Sequence, residues 1–133
     1  MSKEVYNWLV KEGDLVIFKS GDHLHVSLNN CNEGKCLLTK MDTIEIIEVF
    51  TKIAQEIWES EGYIKKPYLK NLFTEKQGNY SWDIDGTELA IGPAKEGEEI
   101  QIAYDGNNEL NIEINYAVEM IQIMQFLIKD KGN

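Results

Sequence analysis

The first forty positions alternate between apolar and polar side chains, and short polar turns break the alternation. Tyr6, Trp8 and Val10 mark one face of a strand, KEGD turns the chain, and Leu15 with Ile17 mark a second strand. KSGD turns the chain again, Leu24, Val26 and Leu28 mark a third strand, and the loop NNCNEGK leads to a short fourth strand, CLLT. The period then lengthens from 2 to about 3.6. Ile44, Ile46, Ile47, Phe50, Ile53, Ala54 and Ile57 form a broad helical stripe, opened by a capping box of Asp42 with Glu45 and closed by Gly62 as C-cap. The same succession returns with strands near 80–85, 88–92, 99–104 and 110–114, a DGNN turn, and a helix opened by Asn115 that buries Val118, Met120, Ile121, Met124 and Leu127. Between the two sets, Pro67 stands ahead of YLKNLF, which reads as one or two helical turns.

Sliding the chain against itself by 74 residues aligns the two sets without a gap. Tyr6 falls on Tyr80, Trp8 on Trp82, Leu15 on Leu89, Ile17 on Ile91, Glu45 on Glu119 and Ile47 on Ile121. Val26 falls on Ile100, Leu28 on Ile102 and Leu38 on Ile112. The expected fold is therefore α+β: two tandem β-β-β-β-α repeats, each an antiparallel sheet covered by one helix. Residues 1–61 form the first repeat, 62–79 a linker with a possible short helix, and 80–133 the second, together one domain.

This order of elements resembles the PUR-repeat and Whirly group of single-stranded nucleic-acid-binding proteins, together with a transcriptional coactivator that shares their architecture. The resemblance implies curved antiparallel sheets that bind strands through basic and aromatic side chains on the sheet. The faces that would match carry few basic residues here, and in the second repeat they carry mostly carboxylates. The resemblance therefore implies a shared fold with a diverged function.

Charge changes the picture. The 133 residues hold 13 basic and 23 acidic side chains, a formal net of −10, and every basic one is Lys. Without arginine the bidentate contacts to phosphate or guanine are missing, so direct nucleic-acid binding is not expected, nor is binding to an anionic membrane. No apolar run nears the roughly 18 residues needed to cross a bilayer, and the N-terminus has no signal-peptide zones, which points to the cytoplasm. Residues 1–79 carry a net of −2 and residues 80–133 a net of −8. With Trp82, Ile84, Leu89, Ile91, Ile100, Ile102, Ile112 and Ile114 turned to the helix, Asp83, Asp85, Glu88, Glu99 and Glu113 point outward from one sheet. Such a grid suits either a solvated face or a surface aimed at a basic groove.

Catalytic motifs fail on context. The string DIDGT at Asp83 resembles the first motif of haloacid-dehalogenase phosphatases, but it lies in a hairpin turn between two strands, not at the end of a buried strand entering a helix. It also lacks the spacing of an EF-hand loop. His23, His25, Cys31 and Cys36 are zinc-type ligands, yet the six residues of strand between His25 and Cys31 separate the pairs by roughly 20 Å. The two cysteines flank a hairpin loop and are expected to stay reduced. No Ser-His-Asp set or phosphate loop can be assembled, so neither enzyme activity, cofactor nor metal is expected.

The outward positions of the first repeat differ in kind. Leu9, Val16, Phe18, His23 and His25 form a possible second contact face, for a homodimer or a partner. The alternative is that Tyr63, Ile64, Tyr68, Leu69, Leu72 and Phe73 fold back over Val16 and Phe18. The leading expectation is a non-enzymatic acidic inhibitor or nucleic-acid mimic that occupies the basic groove of a DNA- or RNA-processing enzyme, as in phage or mobile-element counter-defence of the anti-CRISPR kind. The alternatives are a divergent single-strand binder using Tyr6, Trp8, Phe18, Lys65, Lys66 and Lys70, and an immunity protein against a basic toxin.

Overall fold

A computed structural model describes residues 4–30, 34–64, 72–84, 86–94, 99–104 and 109–131, the side chains of 109, 130 and 131 excepted. Strands β1 (Val5–Val10), β2 (Gly13–Ser20), β3 (His23–Asn29) and β4 (Lys35–Leu38) precede helix α1 (Lys40–Trp58). Strands β5 (Thr74–Lys76), β6 (Asn79–Ile84), β7 (Thr87–Ala94), β8 (Glu99–Tyr104) and β9 (Glu109–Ile112) precede helix α2 (Ile114–Lys131). The fold is α+β, with two antiparallel sheets and two helices.

The sheets are not drawn one from each half of the chain. One has the order β1-β2-β3-β9 and the other β4-β8-β7-β6-β5, so each half gives its last strand to the sheet of the other. The exchange is reciprocal in register: Leu38 pairs with Ile100 and Cys36 with Ile102, while Ile112 pairs with Leu24 and Leu110 with Val26. The first hairpins also correspond, Trp8 opposite Leu15 and Trp82 opposite Leu89. Among the described strands, the pairing departs from the ungapped alignment at the third strand. Leu15 pairs with Leu28, but Leu89 pairs with Tyr104, so β8 is displaced two residues further and Leu24, not Val26, is the counterpart of Ile100. The physical reason is turn length: β2 and β3 are separated by two residues, β7 and β8 by four.

Strand β5 was not foreseen. Gln77 and Gly78 both take positive φ, 56° and 85°, the geometry of a tight two-residue hairpin turn. That turn pairs Thr74–Lys76, in the stretch expected to be linker, with Asn79–Ser81. Residues 65–71, with most of YLKNLF, lie outside the described residues.

Both helices begin a residue or more earlier in the sequence than their patterns suggest. Thr39, not Asp42, is the N-cap of α1: its Oγ1 accepts the Asp42 N–H at 3.2 Å, and Thr43 donates to the Thr39 carbonyl at 2.8 Å. Glu59, not Gly62, is its C-cap. Ile44 turns outward at 40% exposure while Thr43 is buried in its place. Helix α2 opens at Ile114, with Ala117 N–H bonded to the Glu113 carbonyl. The apolar stripes of α1 and α2 pack on each other and on both sheets, and one core runs from Trp8 and Leu15 through Phe50 and Trp82 to Met124.

Cys36 corrects the expectation of free thiols: it is disulfide-bonded, and the sequence holds one other cysteine, Cys31, which lies outside the described residues. The chain crosses between sheets here, and the crossing is tight. Gly34 has φ +74°, its carbonyl accepts the Tyr104 N–H at 3.1 Å, and a Cβ on it would stand 2.9 Å from the Tyr104 carbonyl oxygen. Closing so short a loop is worth roughly 2 kcal/mol on chain-entropy grounds. Reduction, or Cys36→Ser, is therefore expected to lower the melting temperature by about 8 °C, read by differential scanning calorimetry.

Candidate acidic interface

Trp82, Ile84, Leu89 and Ile91 point into the core, so the intervening residues of β6 and β7 face outward. Asp83 and Glu88 stand directly opposite each other in the register, and both are exposed. Gly86, at φ +82°, closes the turn next to them. Asp85, the other turn residue, lies outside the described residues. Two carboxylates therefore share a cross-strand site whose Cβ atoms are about 5 Å apart.

The other expected members of the acidic face are elsewhere. Glu99 has the outward phase on β8 but is buried at 7% exposure, with its Oε2 3.0 Å from Lys11 Nζ. Lys11 gets there because its carbonyl accepts the Leu37 N–H, which draws the end of β1 against β4 beside β8. Glu113 is exposed but belongs to the other sheet, at the junction of β9 and α2. There it neighbours Tyr63, whose phenol is pushed up first by burial and then by the charges of Glu113 and Asp22. The five-residue grid thus reduces, among the described residues, to the Asp83–Glu88 pair.

A second acidic surface was missed. Glu45, Glu48 and Glu56 of α1 and its C-cap Glu59 are all exposed. An open groove of about 540 Å³ runs between the helices, lined by Glu48, Lys52 and Glu56 of α1, its C-cap Glu59 and Gln125 of α2. Its one lysine is drawn toward β1. Lys52 Nζ donates to Tyr6 Oη at 3.3 Å and lies 3.7 Å from Glu4, contacts that raise its pKa, the hydrogen bond with Tyr6 most. Tyr6 in turn donates to Glu4, which together with Lys52 holds that carboxyl below its usual range. The signal was present in the sequence as glutamates recurring on the polar side of the helical stripe.

The apolar face of the first half is where its alternation placed it. Phe18 stacks on His25 with ring centroids 4.4 Å apart, and His25 Nδ1 donates to Asn111 Oδ1 at 2.8 Å. Val16 is half-buried, His23 is exposed, and Leu9 is 85% exposed. The described linker residues make other contacts. Tyr63 packs on Trp58, Phe73 sets its edge against Tyr80 and Trp82, Leu72 N–H donates to buried Glu119, and Ile64 points into solvent. Tyr68 and Leu69 lie outside the described residues, as do Lys65, Lys66 and Lys70. Trp8 is 9% exposed and donates its indole N–H to Glu45 at 3.1 Å, so it is not presented for stacking on a base.

No helix among the described residues is long and apolar enough to cross a membrane, and no group of three or more metal-ligating side chains occurs among them. Neither a protein-family model nor a curated protein matches the chain.

Proposed function

We propose that the chain is an internally duplicated β4α protein with exchanged fourth strands, and that it acts as a non-enzymatic acidic binding protein in the basic nucleic-acid groove of a DNA- or RNA-processing enzyme. The duplication is supported by the matched register of both hairpins and both exchanged strands. Glu45 and Glu119 add to it: each stands on a helix 37 residues after its tryptophan, and Glu45 binds the Trp8 indole.

The binding reading is carried by one observation, the exposed Asp83–Glu88 pair held in direct opposition at a hairpin end. The two carboxylates concentrate negative charge on one exposed face, where a cationic partner would meet both at once. The glutamates of α1 extend the same sign of charge over a second surface. An arginine-free composition rich in Lys, Asn and Ile fits an origin in a phage or mobile element, where inhibitors of nucleases of the anti-CRISPR kind are one class and toxin-immunity proteins another. Immobilised protein is expected to retain basic nucleic-acid enzymes from a host extract at low salt and release them as salt screens the contact. Capture that ignores salt would overturn the reading.

The stacked Phe18 and His25 favour a second reading, single-strand binding of the PUR or Whirly kind. Fluorescence anisotropy with labelled oligonucleotides at low salt separates the two: micromolar binding supports the second reading and sinks the first. Cytoplasmic residence is the part of the proposal most exposed to the bond at Cys36, because cytosolic thiols are normally reduced. Acid-quenched alkylation of protein from its host decides it, since alkylation of both cysteines marks a reducing compartment and alkylation of neither marks an oxidising one.

A further inference from the structure

The four sheet edges are not equivalent. Strand β5 is three exposed residues, two of them charged; β9 and β4 are four residues each, and β4 already gives its Leu37 N–H to Lys11. Strand β1 is six residues long, VYNWLV, and contains no charge and no proline. It pairs with β2 along one side only, and along the other side the described residues offer it just the single bridge at its end, from Lys11 to Leu37. Folded proteins usually blunt such an edge with charge, proline or a bulge. Its outward side instead carries Val5 at 55% exposure and Leu9 at 85%.

We infer that β1 is a self-association edge: two copies of the chain pair their β1 strands antiparallel about a two-fold axis at Asn7, joining their four-stranded sheets. The sequence of the strand selects this occupant. Opposed residues in a continuous sheet must share a face, and Val5 and Leu9 lie two positions on either side of Asn7. Centring on Asn7 therefore sets Val5 of each copy against Leu9 of the other, twice, and Asn7 against itself, an isologous contact. A basic partner finds nothing to neutralise on β1, whereas a second copy finds its own apolar residues. The face behind it is also low in charge, with Asp14 hydrogen-bonded to Asn7 at 3.1 Å and Val16, Phe18 and His25 beyond.

The salt response has the opposite sign to that of the acidic interface, so the two readings fail separately. Each copy carries −10, and screening their repulsion strengthens a dimer where it weakens capture of a cationic partner. Asp83 and Glu88 lie in the other sheet and do not enter the contact. In sedimentation equilibrium at about 100 μM protein, twice the monomer mass of 15.3 kDa is expected in about 0.5 M NaCl, shifting toward monomer at low salt. Leu9→Lys changes a residue that is already in solvent, so the fold is retained, and it is expected to weaken dimerisation at least tenfold. Asn7→Cys tests the register: residues opposed across an axis in paired strands stand near disulfide reach, so mild oxidation is expected to give a covalent dimer on a non-reducing gel. Asp14→Cys, on the same face but one strand inward, is expected to give none. A monomer at high salt, a dimer indifferent to Leu9→Lys, or equal cross-linking at positions 7 and 14 would each overturn the inference.

Discussion

Expressed alone, residues 1–61 are expected to lack a cooperative unfolding transition at micromolar concentration, and mixing them with residues 62–133 is expected to restore one. The reason is the strand exchange. In the fragment, β4 has lost β8, so Cys36 and Leu38, both fully buried in the whole chain, lose Ile102 and Ile100. Strand β3 has likewise lost β9, so Leu24 and Val26 lose Ile112 and Leu110. Uncovering four such side chains forfeits roughly 6 to 10 kcal/mol. A unit of this size has only about 3 to 9 kcal/mol of net stability, so the loss decides the outcome. Far-UV circular dichroism during urea titration reads the result. If the fragment regains helix as its concentration rises, two copies are exchanging strands with each other, as the proposed duplication would allow. Cooperative unfolding independent of concentration would show that the exchange is dispensable.

The exchange also marks where sequence reasoning stops. Alternation assigns faces well: Trp82, Ile84, Leu89 and Ile91 turn inward as their spacing requires, and so do Leu15, Ile17, Leu24 and Val26. A period of two says which way a side chain points, but it does not say which strand lies beside it. Leu38 and Ile112 would read the same in either sheet. The misplacement of Glu99 has this origin, because its burial depends on a lysine that reaches β8 only once β1 and β4 are neighbours. Glu113 was lost to a different ambiguity. Leu110, Ile112 and Ile114 alternate like a strand, while Ile114, Ala117 and Ile121 repeat like a helix, and the chain changes period at the residue between. The acid stripe of α1 was legible but is easily passed over, since exposed glutamates on a helix are the ordinary polar side of an amphipathic pattern.

Glu88→Lys separates a functional acidic surface from one that is merely wet, because binding and stability are expected to move in opposite directions. In the register the new ammonium group would stand opposite the Asp83 carboxylate on a neighbouring strand. A repulsive cross-strand pair becomes an attractive one, so the free energy of unfolding is expected to rise by about 0.5 to 1 kcal/mol. Toward a cationic groove the same change replaces an attraction with a repulsion, and the captured enzyme is expected to bind at least tenfold more weakly at low salt, with a shallower dependence on ionic strength. Adding Asp83→Lys restores like charges across the strands, now positive. Its stability is expected to fall back to about that of the original protein while binding falls further. Urea midpoints and titration calorimetry at two salt concentrations read both quantities. If the single variant is more stable and binds as before, the pair is a solvated turn and the acidic contact belongs to the α1 glutamates, which Glu48→Lys with Glu56→Lys would then abolish.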